Sequence, residues 1–410
     1  MKDAFGKLEE GRSLLILVIS CQIILPVLVF LEIIKKEEIS LKNLSNIMVK
    51  RTDNPDYILL GVIIILLVLG ILILASVSAS FSQEKFGTPY YFLKRQILWI
   101  ILGIILAFFV FKIPLDFLKK LTSILLLINL ILLAMVFLPG IGTKFWGAER
   151  WITLGFISFQ PSEFLKLTFI LYLAAWLANK SFHKNQTLIA FLIIMGIISF
   201  LLISQPDIST LGVILISGIL IYFLANTPLW HSLLMFLISL GFFLTLIKIA
   251  PYRAERLLVF LRPETDPMGI GYQIKQALIA IGSGGILGLG LGMSRQKFGF
   301  LPGSISDSIF AIFSEETGFI GGLILISLFL IFLWRGFKIA KQSKDKFSQL
   351  TALGITSWIT IQAFVNIGVM IGILPLTGIP LPFISYGGSA LITEMIGIGI
   401  LLNISRHSKN

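Results

Sequence analysis

Apolar residues in this chain fall in long continuous runs, each bounded by short polar or basic segments. A helix that crosses a bilayer needs about 20 mostly apolar residues. Such runs lie at 57–79, 96–112, 117–138, 164–179, 187–204, 209–225, 229–249, 309–334, 350–374 and 388–404. They predict an all-α, polytopic integral membrane bundle with ten core spans. An eleventh run, 13–34, is interrupted by Pro26. Lys35-Lys36 stands where a signal peptide would carry small residues for cleavage, so this run reads as an extra N-terminal span. The chain divides into an N-terminal extension, 1–50, and a membrane domain, 51–410.

Composition supports the pattern. Of 410 residues, 56% are hydrophobic and 13% are charged, against about 45–50% and about 25% in soluble domains. This excludes a single aqueous core, disorder, collagen and a coiled coil. One cysteine, Cys21, excludes disulfides within the chain and thiolate zinc clusters. Three histidines make a multi-histidine metal site a poor fit.

The net charge of +12 would suggest nucleic acid in a soluble protein. Here it is better explained by basic loops on the cytoplasmic side. Lys35, Lys36, Lys42, Lys50 and Arg51 precede the first core span. Lys112, Lys119 and Lys120 flank the second turn, Lys180 and Lys184 follow the fourth span, and Arg335 to Lys346 follow the eighth. Alternation places all four groups on one side, with the C-terminus. Segments 80–95, 139–163, 204–208, 250–308 and 375–387 then lie outside.

The chemistry collects in those outer segments. In 139–163, Arg150 and the neighbouring Lys166 suit phosphate oxygens. Pro161 and Glu163 equally suit the first turn of a helix, and Trp146 and Trp151 suit interfacial anchoring. Asp207, in Gln205-Pro206-Asp207, reads as an N-cap or as a solvated carboxylate at the membrane boundary.

Segment 250–308, a large loop before the eighth core span, is the richest. Tyr272 to Ile281 has helical spacing, with Gln273, Lys275 and Gln276 between apolar positions. It lies on or dips into the membrane. Ile281 to Gly292 is glycine-rich and uncharged. It lacks the Gly-Lys-Ser/Thr of a nucleotide loop, and a close-packed re-entrant turn is the preferred reading. Arg295, Lys297 and Asp307 follow. Asp307 is either an N-cap for the next span or a carboxylate base. Glu315 and Glu316 sit deeper in an apolar run, where acids face a bundle interior or a wet cavity. No Ser-His-Asp triad is reachable, because His183, His231 and His407 all fall toward the cytoplasmic side.

Five stretches carry a resemblance to the SEDS family (shape, elongation, division and sporulation). They are RWITLGFISFQPSEFLKL (150–167), SQPD (204–207), DPMGIGYQIKQALIAIGSGGILGLGLGMSRQKFGFLP (266–302), DSIFAIFSEETGFIGG (307–322) and NIGVMIGILPLTGIPLPFISYGGSA (366–390). SRQKFGFLP resembles the division and sporulation branches more than the elongation branch.

The resemblance implies a peptidoglycan glycosyltransferase that polymerises lipid II during cell division. Its partners would be a class B penicillin-binding protein, divisome proteins and membrane lipid, with no nucleic acid. It assigns the catalytic base to Asp307. It also implies a divalent cation, Mg or Mn, for which no ligand motif is visible. The family's Pro-Glu and His-Thr-Asp pattern is reduced here to Leu301-Pro302-Gly303-Ser304-Ile305-Ser306-Asp307. The aspartate is kept and the neighbouring Glu and His are absent, which bears on local substrate contacts. Candidate substrate contacts are Arg150, Lys166, Glu163, Gln160, Asp207, Tyr272, Gln273, Gln276, Arg295, Lys297 and Ser385. Competing classes are a lipid II flippase, a scaffold for the transpeptidase, and an elongation or sporulation role.

Overall fold

The structure, a computed structural model, describes residues 54–407 apart from 139–141, 146–147, 155–156, 180–183, 250 and 263–268. The extension 1–50 and its expected span lie outside the described residues. The described chain forms α1 (Tyr57–Phe86), α2 (Tyr91–Lys112), α3 (Leu115–Met135), β1 (Gly142–Phe145), β2 (Ala148–Leu154), β3 (Ile157–Phe159), α4 (Pro161–Leu177), α5 (Lys184–Ser204) and α6 (Ile208–Leu224). It continues with α7 (Leu229–Ile249), α8 (Pro251–Leu261), α9 (Ile270–Ser283), α10 (Ile309–Gln342), α11 (Lys346–Met370) and α12 (Gly388–Arg406).

Each of the ten predicted core runs coincides with a helix. Among the described residues, eight helices are long and apolar enough to cross a membrane, and α6, at 17 residues, is a shorter apolar one. α4 also has 17 residues and starts with Pro at its first turn, where the missing N–H costs no helical bond. The two helices outside the run pattern, α8 and α9, both belong to segment 250–308. The helical spacing of Tyr272–Ile281 is realised as α9.

Caps at one end of the bundle tie distant helices together. Asp56 caps α1 by accepting from Leu59 N at 2.9 Å, and its carboxylate pairs with Arg335 of α10. Its own N–H donates to Ser405 Oγ of α12 at 3.0 Å. Asn403 Nδ2 donates to Ile113 O, between α2 and α3, at 2.7 Å. The other end, called the loop end below, carries segments 139–160, 205–207, 250–308 and 371–387.

Two findings at the loop end differ from the run pattern. Segment 139–163, expected as a loop, contains a three-stranded antiparallel sheet in the order β1-β2-β3. Ile152 pairs with Gly142 on one side and Phe159 on the other, and its side chain is buried. Strands this short carry too few alternations to stand out beside long apolar runs.

The second finding is a break in α10 at Gly318, with φ 68° and ψ −168°. The glycine-rich segment fills the gap. Leu289 N and Gly290 N donate to Glu315 O and Glu316 O at 3.0 Å each, while Phe319 N donates to Gly285 O at 2.9 Å and Ile320 N to Ile286 O at 3.2 Å. The contact needs bare glycine on both sides. A Cβ at Gly288 would lie 2.2 Å from Glu316 O, and one at Gly318 would lie 2.3 Å from Gly288 N. The close-packed turn expected for 281–292 is therefore docked on a broken helix, whose free backbone groups it satisfies.

Candidate functional site

Asp307 lies at the loop end, two residues before α10. Its side chain is half-buried. Gln273 Nε2 of α9 donates to Oδ2 at 3.2 Å and Ser306 Oγ donates to Oδ1 at 2.9 Å. Gln273 Nε2 also reaches Ser308 Oγ at 3.0 Å. Asn366 of α11 holds the backbone from behind, donating to Asp307 O and Ile379 O at 2.7 Å each.

Two glycines border the carboxylate, where a side chain would touch it. A Cβ at Gly303 would lie 2.1 Å from Oδ1, and one at Gly378 would lie 3.9 Å from Oδ2. Burial pushes the Asp307 carboxyl above its ordinary range. The Ser306 hydroxyl, the residue's own N–H, Gln273 and the positive charge of Arg256 each pull it partly back. Asp307 does not cap α10. The cap residue is Ser308, whose side chain makes no cap bond and donates instead to Pro302 O at 2.8 Å.

Segment 381–388 closes the site from the other side. Ser385 Oγ donates to Ser306 O, and Leu381 N donates to Ser385 Oγ at 2.8 Å. Tyr386 N donates to Ile305 O at 2.9 Å. Ser385 thus positions the loop that holds Asp307. On α9, Tyr272 and Gln276 are half-buried, and Gln276 lies one turn from Gln273 on the same face.

The basic candidates divide sharply. Arg150 Nε donates to Gln205 O at 3.1 Å, and its Nη2 donates to Pro206 O, which docks β2 on the α5–α6 connection. Lys166 is buried. It pairs with Glu163 Oε2 at 2.7 Å and donates to Gln362 Oε1 at 2.7 Å. Gln362 in turn reaches Glu394 Oε1 at 3.3 Å, and Glu394 Oε2 accepts from Phe383 N at 2.9 Å. Lys297 is also buried, 3.3 Å from Glu316 Oε1, and donates to Ser76 Oγ at 3.0 Å and Gly292 O at 2.6 Å. Arg295 has an exposed side chain.

Asp207 and Gln160 tie helix starts together. Asp207 caps α6 through Thr210 N at 3.4 Å and accepts from Ser162 Oγ at 2.8 Å and Gln160 Nε2 at 3.3 Å. Gln160 N donates to Ser389 Oγ of α12 at 3.0 Å.

Sequence reasoning missed Arg256, Gln362, Asn366 and Glu394. Arg256 belongs to α8 and donates to Leu376 O at 3.4 Å, one short turn from Gly378 and the Asp307 carboxylate. One Arg among the three of 251–262 gives no sign of this from chain order. Gln362, Asn366 and Glu394 stand inside apolar runs, and a polar residue within a span is itself a signal of interior function.

Among the described residues, no group of three or more His, Cys, Asp or Glu side chains is placed to hold a metal ion. At Asp307 the donor set is one carboxylate faced by two donor groups, Gln273 and Ser306. A hard divalent cation takes about six or more oxygen ligands, carboxylates first among them, and one carboxylate with the Gln273 and Ser306 side chains turned toward it as donors does not fit a resident cation.

The fold and this site define a class: a polytopic helical membrane protein with an accessible carboxylate at the loop end of its bundle. The chain belongs to the FtsW/RodA/SpoVE family, described as cell cycle proteins, whose profile matches residues 56–410. This is the SEDS family. The chain is 41% identical over 365 residues to stage V sporulation protein E of Bacillus subtilis, covering 88% of this chain and all of that protein. It is 39% identical over 351 residues to a probable peptidoglycan glycosyltransferase FtsW of Coxiella burnetii, covering 84% and 94%. Among solved structures, one from a study of polymerisation and crosslinking by a peptidoglycan synthase complex matches with a TM-score of 0.71 and 29% identity, covering 86% of this chain and 98% of that one. The rod shape determining protein RodA of Thermus thermophilus matches with a TM-score of 0.64 and 27% identity, covering 86% and 97%.

Proposed function

We propose that this protein is a peptidoglycan glycosyltransferase of the cytoplasmic membrane, which polymerises lipid II at the outer face during cell division. The observation that carries the reading is Asp307: a half-buried carboxylate at the loop end with one side-chain donor on each oxygen, made more basic by burial. The distribution of Lys and Arg supports an outer position for that end. The names of the relatives support the reaction class.

In the reaction, the 4-hydroxyl oxygen of the acceptor sugar attacks the anomeric carbon of the donor. The bond from that carbon to the pyrophosphate oxygen breaks, and configuration inverts. Asp307 accepts the hydroxyl proton, and its raised proton affinity suits that role. Gln273 and Ser306 hold the carboxylate in place by donating to one oxygen each. Negative charge gathers on the departing lipid pyrophosphate, which cations stabilise. With Lys166 and Lys297 closed into buried pairs, that role is given to Arg256, which donates to Leu376 O and whose charge acts on the Asp307 carboxyl, and to the exposed Arg295. A divalent cation would arrive with the pyrophosphate.

A transpeptidase of the penicillin-binding class is the proposed partner. The structural neighbour from a peptidoglycan synthase complex supports it. Site residues at the loop end favour an outer-face enzyme over a flippase, which needs a polar path to both sides.

The test is glycan synthesis from lipid II by the purified chain, with and without its transpeptidase. Polymer is expected from the wild type and at most about a hundredth as much from Asp307→Asn. Full activity in a folded Asp307→Asn protein would return Asp307 to a structural role. Lipid II transport without polymerisation would favour the flippase.

A further inference from the structure

We infer that residues 284–300 form a re-entrant wedge seated in the outer leaflet of the bilayer, with lipid acyl chains covering its apolar face. From Gln276 to Ser294 there is no charged side chain. The segment nonetheless points its largest apolar groups outward. Leu287 is 79% exposed, Ile286 71%, Leu291 68%, Met293 65% and Phe298 60%. A contiguous apolar surface of this kind marks a lipid or partner interface.

Two further observations select lipid. First, the backbone is prepared for hydrocarbon. The wedge and the break in α10 exchange four backbone hydrogen bonds, through Leu289, Gly290, Phe319 and Ile320. Irregular chain at membrane depth is tolerated only when such groups are satisfied internally. Second, the apolar face continues a membrane face already present. Phe319, Leu323 and Ile324 are exposed on α10, a helix long and apolar enough to span. The bonds from Phe319 and Ile320 seat Gly285 and Ile286 at the top of that stripe. Arg295, exposed just beyond Met293, lies where a long basic side chain reaches the headgroups.

The wedge has a consequence for the site, which rests on the reading above. It fixes the depth of the loop that carries Asp307, close to where a pyrophosphate joins a lipid to its sugar.

The experiment uses the full chain in phosphatidylethanolamine–phosphatidylglycerol liposomes. Cys21→Ser removes the only cysteine. An environment-sensitive fluorophore is then placed at Leu287→Cys, at Leu291→Cys as a second position, and at Ser304→Cys as a loop control. Doxyl-labelled lipids are expected to quench both wedge probes strongly. Aqueous iodide is expected to quench them several-fold less than the Ser304 probe. Iodide quenching equal to the control, without doxyl quenching, would overturn the wedge. So would wedge probes that leave water only when the transpeptidase is added, since the occupant would then be a protein. Neither outcome touches the polymerisation reading, because no substrate is present.

Discussion

Asp307 and Glu315 lie on consecutive stretches of the same chain, at the entrance to α10 and two turns into it, yet they sit in opposite surroundings. Glu315 is saturated. Ser294 donates to Oε2, Arg295 N donates to Oε1 at 3.1 Å, and Gln296 N reaches Oε2 at 3.4 Å. Beside it, Glu316 is held by Ser76 at 2.6 Å and Lys297 at 3.3 Å. These acids clamp the 284–297 segment to the broken helix. Asp307 has one side-chain donor on each oxygen and glycine for neighbours. A carboxylate whose lone pairs are all engaged is a fastener. One left partly open, and made more basic by burial, can take a proton.

The strongest way to break the contrast is to make both acids neutral. Asp307→Asn is expected to lower polymerisation by about 100- to 10,000-fold, the range of a lost general base, with an unchanged melting temperature. Glu315→Gln is expected to lower the melting temperature while residual activity follows the folded fraction. The reverse pattern in paired activity and thermal unfolding assays would exchange their roles.

Next in size is Lys297→Met, which leaves Glu316 buried without its cation. One Glu316 oxygen already has no partner. Breaking a buried pair from one side costs about 3–5 kcal/mol, to be read from thermal unfolding in detergent. Lys297→Met with Glu316→Leu is expected to be milder than the single change. Equal losses would mean that the pair contributes nothing as a pair.

Gly318→Ala tests the joint itself. A side chain at φ 68° costs about 1–3 kcal/mol, and its Cβ would strike Gly288 N. Gly61→Ala, where the space is open, is the matched control and is expected to be neutral.

The smallest effect is a shift of the pH profile. Asp307 must be ionised to accept a proton, and its carboxyl is raised by burial. Activity is therefore present above the raised value and is lost as pH falls through it, at higher pH than an ordinary carboxylate would give. Ser306 and Gln273 pull the value down, so Ser306→Ala and Gln273→Met are expected to move the acid limb of kcat/KM further up. A limb that stays in place would assign it to another group.

Much of this was legible in the chain. Ten apolar runs marked ten helices because spanning length is a one-dimensional property. α9 was visible as helical spacing, and the capping role of Asp207 followed from its place before a span. The sheet was not legible, because three short strands carry little alternation. Nor were the partners of Lys166. Its neighbour Glu163 is one turn away, but Gln362 and Glu394 come from helices far along the chain. Arg150 looked like a phosphate ligand because chain order does not show that the Gln205 and Pro206 carbonyls lie within its reach.

The sequence by itself determined that this is a membrane bundle, which side its basic loops favour, and that Asp307 falls between a polar loop and a span. Those properties depend on runs of residues and on net charge, which add up locally. Only the tertiary structure decided which charges are closed into pairs and which stay open, and that the glycine-rich segment completes a broken helix. Those outcomes depend on desolvation and hydrogen-bond geometry between residues that meet only when the helices pack.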